Sequence, residues 1–385
     1  MGWFQKWVRR APESAAVVRR CVLARKYDAS LPTVSVIIPC YNYARFLPDA
    51  VRSVLSQRDV DVRVVIVNDA SSDDSLEVAH SLAVDQRVDV LDNPSNVGAV
   101  ATFNRGLEMM SGEFVVRLDA DDMLTPGCLS RATQLARAYP KVGLIYGRPL
   151  HFEGIAPSSV RTSVRGWTIW PGTRWLMDRC ASGQSVITAA EVVMRASVVD
   201  AVGGQRPLAH AHDMEMWLRI ASVSDVAYIR GPHQALHREH SYSLSKQALS
   251  PVGIRILEEN LAAFDTVFDE AQGKLVGGER MRQVAHVALA REALLRGCHE
   301  YDRNRATCEN IGALISFASH AVPNIAALPE WRRLQRRVAI GESHMKYRPW
   351  YAAQAAGRRI RNILEYEYWK RHGVYRRSEG RSVLA

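Results

Sequence analysis

Much that would classify a protein at a glance is missing from this 385-residue sequence. No apolar run reaches the roughly 18–20 residues that a membrane span needs. The first ten residues, MGWFQKWVRR, lack the apolar core of a secretory signal. The six cysteines (Cys21, Cys40, Cys128, Cys180, Cys298 and Cys308) contain no CxxC pair and no zinc or disulfide spacing, which points to a reducing cytoplasm. No GxGxxG follows the first predicted strand, where a dinucleotide-dependent oxidoreductase would carry it; that turn reads Pro39-Cys40-Tyr41-Asn42. There is no internal repeat and no low-complexity tract. What the chain does not lack is hydrophobic matter: 47% of its residues are apolar, which excludes wholesale disorder.

Charge is concentrated at the ends. Residues 331–385 hold 14 Lys and Arg against 4 Asp and Glu, and residues 1–30 hold 7 against 2. The 300 residues between them hold 29 basic and 34 acidic side chains, so the net +10 belongs to the two ends. Basic ends on a slightly acidic body point to an anionic surface as partner, against the equally open reading of solvated tails; the acidic balance of the body favours membrane headgroups over nucleic acid.

The first half alternates apolar, β-branched runs with helical periodicity. Strands are expected at Val34–Ile38, Val62–Val67, Val88–Leu91, Glu113–Leu118 and Val142–Tyr146. Helices are expected over 45–57, from Asp74 to about His80, and over Gly98–Met110 and Cys128–Ala138. This alternation predicts a doubly wound, mostly parallel α/β sheet, in which ligands bind beyond the carboxyl ends of the strands. Residues 151–250 read as irregular apart from a helix near 213–221, 252–315 as helical, and the tail as basic and aromatic. The expected domains are therefore 1–30, 31–250, 251–330 and 331–385.

Polar clusters sit where such a sheet would bind a ligand. Asp119, Asp121 and Asp122 close one strand; three carboxylates in four residues repel one another unless a cation compensates. A hard divalent ion with open positions for phosphate oxygens is that cation, against the plainer reading of a solvated acidic turn. Asp69 follows the second strand too closely to be explained as a cap of the next helix, a task left to Ser72 and Asp73. Tyr41 and Asn42 follow the first strand and offer an aromatic face and a two-way hydrogen-bonding group. Asp213 opens an amphipathic helix, where the dipole favours its anion and a substrate hydroxyl could find a general base. His210 and His212 make a poor metal pair without a third ligand. Arg238 and His240 could bind a diphosphate or complete a metal shell.

Taken in order, VSVIIPCYNYARFLPDAVRSVLSQ (34–57), VVIVNDASSDDS (64–75), NPSNVGAVATFNRGLEMMSGEFVVRLDADDMLTP (93–126) and AHDMEMWLRIA (211–221) resemble the family 2 inverting glycosyltransferases of GT-A fold. The resemblance covers about residues 33–245. It implies that Pro39, Tyr41 and Asn42 line a nucleotide pocket and that Asp69 holds the base. It places Asn96, Gly98 and Asn104 at the donor site. Asp119 and Asp121 match the DxD motif, with Asp121 on Mn²⁺ or Mg²⁺ and Asp119 on ribose or the metal shell. Arg238 and His240 match a late loop over the diphosphate and metal, and Asp213 matches the base. His212 stands where Glu is usual, Asn68 where Asp is common, and Phe103 where an Arg often precedes Asn104.

The implied reaction is transfer of a sugar from a nucleoside-diphosphate sugar, UDP being the family's usual choice, to a hydroxyl on a saccharide or lipid-linked acceptor, in cell-envelope polysaccharide or glycolipid synthesis. The implied location is the cytoplasm, peripheral on the inner membrane face, through interfacial helices at Trp3–Arg10 and at 358–371. The competing class is a basic membrane-surface protein that kept the fold without the catalysis.

Overall fold

The computed structural model describes residues 18–20, 30–185, 187–240, 252–271, 273–341 and 349–374. The amphipathic segment at Trp3–Arg10 and the end of the basic tail lie outside the described residues. The chain divides into two compact units: residues 1–176, 187–208 and 212–241 form the first, and residues 177–186, 209–211 and 242–385 the second.

The first unit is built on one ten-stranded sheet. Its strands are β1 (Val18–Arg20), β2 (Thr33–Cys40), β3 (Asp61–Asn68), β4 (Val88–Asp92), β5 (Phe114–Arg117), β6 (Met123–Leu124), β7 (Val142–Glu153), β8 (Gly166–Trp170), β9 (Val193–Arg195) and β10 (Asp225–Glu239). The strand order is β1-β8-β10-β7-β9-β5-β2-β3-β4, with β6 on β10. β4, β3, β2 and β5 pair in parallel, as do β7 and β10. The reversed strands are β6, β8 and β9, each antiparallel to its neighbours. The short β9 stands between β5 and β7 and joins the two parallel halves.

Burial explains the central strands. Val34, Val36 and Ile38 of β2 and Val62, Val64 and Ile66 of β3 lie in one core with Leu47, Ala50, Val51 and Val54 of helix α1 (Leu47–Leu55). The opposite face buries Ile37, Val65 and Val67, and these lie under helix α3 (Ala99–Leu107). Both faces are therefore apolar, which is why these strands read as continuous hydrophobic runs. Gly106 of α3 marks the closest approach: a Cβ there would stand 2.4 Å from the Ile37 side chain.

Register aligns the carboxyl ends. Cys40 pairs with Asn68 and Asn68 with Asp92, so the turns after β2, β3 and β4 open on one rim. The turn after β5 joins them, since Arg117 pairs with Ile37 and the Leu118 N–H donates to the Ile37 carbonyl (3.0 Å). The remaining helices of this unit are α2 (Ser75–Leu82), α4 (Cys128–Ala138), α5 (Gly172–Ser182, which runs on into the second unit), α6 (Ala196–Val202) and α7 (His212–Val223).

The second unit is helical. Its main helices are α8 (Ile254–Glu270), α9 (Gly278–Asp302), α10 (Cys308–Ala321), α11 (Pro329–Ile340) and α12 (Pro349–His372). α9 packs against each of the other four. Ion pairs tie it to α11: a buried one from Arg337 to Asp302 at 2.8 Å and a partly exposed one from Arg291 to Glu330 at 3.0 Å. Among the described residues no helix is long and apolar enough to cross a membrane, and Cys40, Cys128, Cys180, Cys298 and Cys308 are all free thiols.

Candidate active site at the carboxyl rim of the sheet

The turns after β2 and β3 are latched to each other. Asn42 and Ala70 both adopt positive φ (60° and 55°), a conformation that asparagine tolerates well. The Asn42 N–H donates to Ser71 Oγ at 3.0 Å, and its Oδ1 accepts the Ser72 N–H at 2.8 Å. Asn42, expected to line a nucleotide pocket, thus spends its side chain holding this latch. Tyr41 beside it is 46% exposed, and Asn96 on the turn after β4 is exposed as well. Neither side chain has a hydrogen-bond partner among the described residues. Pro39, the next-to-last residue of β2, is half-buried.

Asp69 is buried, and both of its oxygens are occupied. Oδ1 accepts Asn93 Nδ2 (2.8 Å) and the Val97 N–H (2.9 Å), and Oδ2 accepts the Gly98 N–H (2.9 Å). Gly98 has φ +86° and immediately precedes α3. The carboxylate therefore fixes the 93–98 turn and faces the N-terminus of α3, where the helix dipole favours an anion. Asp69 thus braces the turn that leads into a helix, but the helix is the third element downstream of its own strand.

Asp73 serves the helix it was expected to serve. Its Oδ1 accepts the Ser75 N–H at 3.0 Å at the start of α2. Ser72 is held by Asn42 instead.

A second group forms around Arg117, the last residue of β5. Its guanidinium is buried. Nε donates to Asp119 Oδ1 (3.2 Å), and Nη1 donates to Asp213 Oδ1 (3.2 Å) and Gln205 Oε1 (2.7 Å). Gln205 Nε2 donates to the same Asp213 oxygen. Asn104 on α3 grips the Gln205 backbone both ways, Nδ2 to its carbonyl (2.9 Å) and Oδ1 from its N–H (2.8 Å). Gly204 is required for that approach, since a Cβ there would stand 2.3 Å from Asn104 Oδ1. Arg219 completes the support: it pairs with Glu215 inside α7 and donates to the Val202 and Gly204 carbonyls (2.6 and 2.7 Å).

Asp213 lies in the first turn of α7. Burial works to raise its carboxyl, but the Arg117 charge, His212 and the Gln205 hydrogen bond outweigh it and hold it below the ordinary aspartate range. His212 Nε2 stands 3.7 Å from Asp213 Oδ1, while its Nδ1 faces the Leu208 carbonyl at 3.2 Å. Every one of these contacts falls on Oδ1. Oδ2 has no partner among the described residues.

The third group joins the acidic turn to the end of β10. Asp121 Oδ2 lies 2.8 Å from His240 Nε2, and the His240 ring packs against Tyr43 and Phe46. His240 Nδ1 is buried and unpartnered among the described residues. Asp122 is fully committed, to His237 Nδ1 and to the Arg238 N–H (both 2.9 Å). Burial opposes the His237 proton, yet the hydrogen bond and charge of Asp122 raise this histidine to about 9. Burial also raises the Asp121 carboxyl, with the negative charges of Asp122 and Asp119 adding to it and the His240 hydrogen bond opposing it, to about 6.

Arg238 is buried too. Its guanidinium reaches the Asp121 carbonyl (3.1 Å) and the Gly154 carbonyl (2.8 Å), and it lies over the rings of Phe46 and Phe152. It braces the turn that carries Asp121 rather than standing open to an incoming anion.

The structure therefore brings together Asp119, Asp213 and Asn104 through Arg117 and Gln205, and Asp121, His240 and Arg238 through the acidic turn. Sequence reasoning passed over Arg117, Gln205, His237 and Asn93. Arg117 carried a signal, a cation closing the apolar strand FVVR two residues before the first aspartate. Gln205, in a turn, carried none.

Comparison with known proteins agrees with this architecture. The model of the family "Glycosyl transferase family 2" matches residues 35–202. An uncharacterized glycosyltransferase of Nostoc sp. is 39% identical over 115 residues, covering 29% of this chain and 35% of its own. The chain spans about a third of the length of the first such relatives. Among solved structures, S. aureus TarS in complex with UDP-GlcNAc is 16% identical with a TM-score of 0.57, over 81% of this chain and 89% of that one. A mannosyltransferase from Pyrobaculum calidifontis in complex with GDP-Man and Mn²⁺ is 18% identical with a TM-score of 0.52, over 91% and 89%. Residues 35–202 therefore carry the match to glycosyl transferase family 2, and the chain shares the GT-A fold of these solved glycosyltransferase structures.

Proposed function

We propose that the protein transfers a sugar from a nucleoside-diphosphate sugar to an acceptor hydroxyl, with inversion, at the rim formed by Asp119, Asp121 and Asp213. The observation that carries this reading is the division of labour among the carboxylates. Asp213 is held ionised with one oxygen free, Asp122 is neutralised by His237, and Asp121 is crowded by like charge beside a histidine. The UDP-GlcNAc and GDP-Man of the two structural neighbours support the donor class.

The Asp121 site suits a divalent cation. A carboxylate oxygen and an imidazole nitrogen stand 2.8 Å apart, beside the further carboxylates of Asp119 and Asp122. Among the described residues no group of three or more His, Cys, Asp or Glu side chains is set to enclose an ion. Asp121 and His240 would thus be the protein ligands, with Asp119 at the margin of the shell, leaving the other positions for water and diphosphate oxygens, as Mg²⁺ and Mn²⁺ sites in nucleotide enzymes do. When bound, the ion would supply counter-charge to the departing diphosphate.

The residues of the chain do the rest. The acceptor hydroxyl loses its proton to Asp213 Oδ2 as its oxygen bonds to the anomeric carbon. The electron pair of the breaking glycosyl bond leaves with the nucleoside diphosphate. With one base and one in-line attack, the anomeric configuration inverts. The exposed Tyr41 ring and Asn96 remain available to the nucleotide, while Asn42 and Asp69 shape the pocket by fixing the turns around it. The test is a donor panel of UDP-, dTDP- and GDP-sugars with Mn²⁺ or Mg²⁺, scoring nucleoside diphosphate release. One donor should stand out, and chelation by EDTA should stop its turnover. Release from no donor, or full release in chelator, would overturn the reading.

Helix α12 supports a membrane-bound acceptor for the same reaction. Ile360, Ile363 and Leu364 form one face at helical spacing, each more than half exposed, beside the exposed Arg359 in the most basic part of the chain. Such a face fits an anionic bilayer surface. The protein should sediment with phosphatidylglycerol vesicles, and Ile360→Asp with Leu364→Asp should release it. Sedimentation equal to that of the intact protein after this double change would exclude the face.

A further inference from the structure

We infer that Arg117 and Gln205 form a clamp that immobilises Asp213 Oδ1, so that Oδ2 is the one oxygen presented to the acceptor hydroxyl. This rests on the proposed role of Asp213 as the base, and it makes Arg117 a positioning residue rather than a catalytic one.

The geometry separates the two carboxylate oxygens. Oδ1 receives Arg117 Nη1 and Gln205 Nε2, with His212 Nε2 3.7 Å away. Oδ2 receives nothing among the described residues, although the side chain as a whole is 22% exposed and accessible to a small polar group. A carboxylate with both oxygens free would rotate about its last side-chain bond and present either one. Here rotation would break two charge-assisted hydrogen bonds. The clamp is itself anchored away from the reacting atoms, by Asn104 on the Gln205 backbone and by Arg219 on the turn just before it.

The charged and titratable groups facing Asp213 are few. From β5 there is Arg117, and from its own helix His212. Glu215, one turn along, is turned inward to Arg219. Arg117 is therefore the principal charge keeping this buried carboxyl ionised. Its Nε on Asp119 also fixes the guanidinium from the donor side, so the base and the donor-side carboxylate are aligned by one planar group.

Arg117→Gln, Arg117→Lys and Gln205→Leu test the clamp, with Asp213→Asn as reference. For Arg117→Gln, kcat should fall by about 100-fold with donor KM within about threefold, and the acid limb of the kcat–pH profile should move up by at least about one unit, because the charge that chiefly opposes the burial of Asp213 is gone. Arg117→Lys should restore part of kcat and most of the profile. Should Arg117→Gln fail to fold, Gln205→Leu reads the neutral half of the clamp through a fall in kcat at unchanged donor KM. An Arg117→Gln enzyme with wild-type kcat and profile, beside an inactive Asp213→Asn enzyme, overturns the clamp alone. An active Asp213→Asn enzyme overturns the base assignment and the clamp with it.

Discussion

Asp213→Asn should leave a folded protein that binds donor with near-normal KM and transfers at least about 10²–10⁴-fold more slowly. The asparagine amide oxygen can take over the role of Oδ1, accepting from Arg117 and Gln205, so the clamp and the start of α7 survive. The amide nitrogen then stands in place of Oδ2 and has no lone pair to offer a proton. The stability cost is limited because Arg117 keeps Asp119 as an ionic partner at 3.2 Å; without any counter-charge, a buried guanidinium would cost about 3–5 kcal/mol. Single-turnover transfer, scored beside donor KM and thermal melting, separates loss of the base from loss of fold. Transfer within about threefold of wild type would remove Asp213 as the base. The same site has a pH corollary. Because Asp213 is held below the ordinary aspartate range, it stays ionised across neutral pH, so an acid limb near neutrality in the wild-type enzyme belongs to another group.

The parts of this site that were legible in the sequence are those whose meaning is local. An apolar, β-branched run followed at once by a polar turn identifies a strand end, and the run need only be read along the chain. Asp69, Asp119 and Asp121 were found in this way, and Asp213 by its place at the head of an amphipathic helix. What these side chains bond to was not legible. Asp69 takes its donors from a turn some 28 residues away. Asn42 is held by a serine turn 30 residues on. Arg238 reaches back 117 residues to brace the acidic turn. Such partnerships depend on strand register, which the sequence of one strand does not contain.

The same cause hid the second half of the sheet. β7 continues past Tyr146 to Glu153 with a broken burial pattern, and β10 buries His233, Gln234 and Arg238 among its apolar residues. These polar side chains are tolerated because partners from elsewhere meet them: Arg131 Nε donates to Gln234 Oε1 at 3.0 Å, and the Arg161 N–H donates to His233 Nδ1 at 3.3 Å. Viewed alone, the stretch lacks period-2 alternation and reads as irregular. β9, three residues long, has too little length to show a period at all.

Asp121→Asn should separate function from stability, and in opposite directions. Asp121 is nearly buried, and its carboxyl is raised from 3.8 to about 6 by that burial and by Asp122 and Asp119. A group whose folded value lies above its unfolded one stabilises the fold when protonated. That contribution is complete below about pH 3.8 and is lost as pH rises through about 6. At pH 8 the ionised side chain therefore costs the metal-free protein on the order of 3 kcal/mol. Asparagine keeps a hydrogen bond to His240 and carries no charge. In EDTA at pH 8 the variant should melt several degrees above wild type, and near pH 5 the difference should shrink. Adding Mn²⁺ should reverse the order, because wild type gains binding free energy that the variant cannot. Turnover of the variant should fall by about 10³-fold or more, since the diphosphate departs without its counter-charge. Calorimetry over pH with and without Mn²⁺, paired with donor turnover, reads both effects. A variant that melts like wild type at pH 8 in EDTA would sink the repulsion argument, and one whose turnover still rises with Mn²⁺ would sink the ligand assignment. If both effects appear, the acidic turn is a site whose strain in the empty protein is the source of its affinity for a cation.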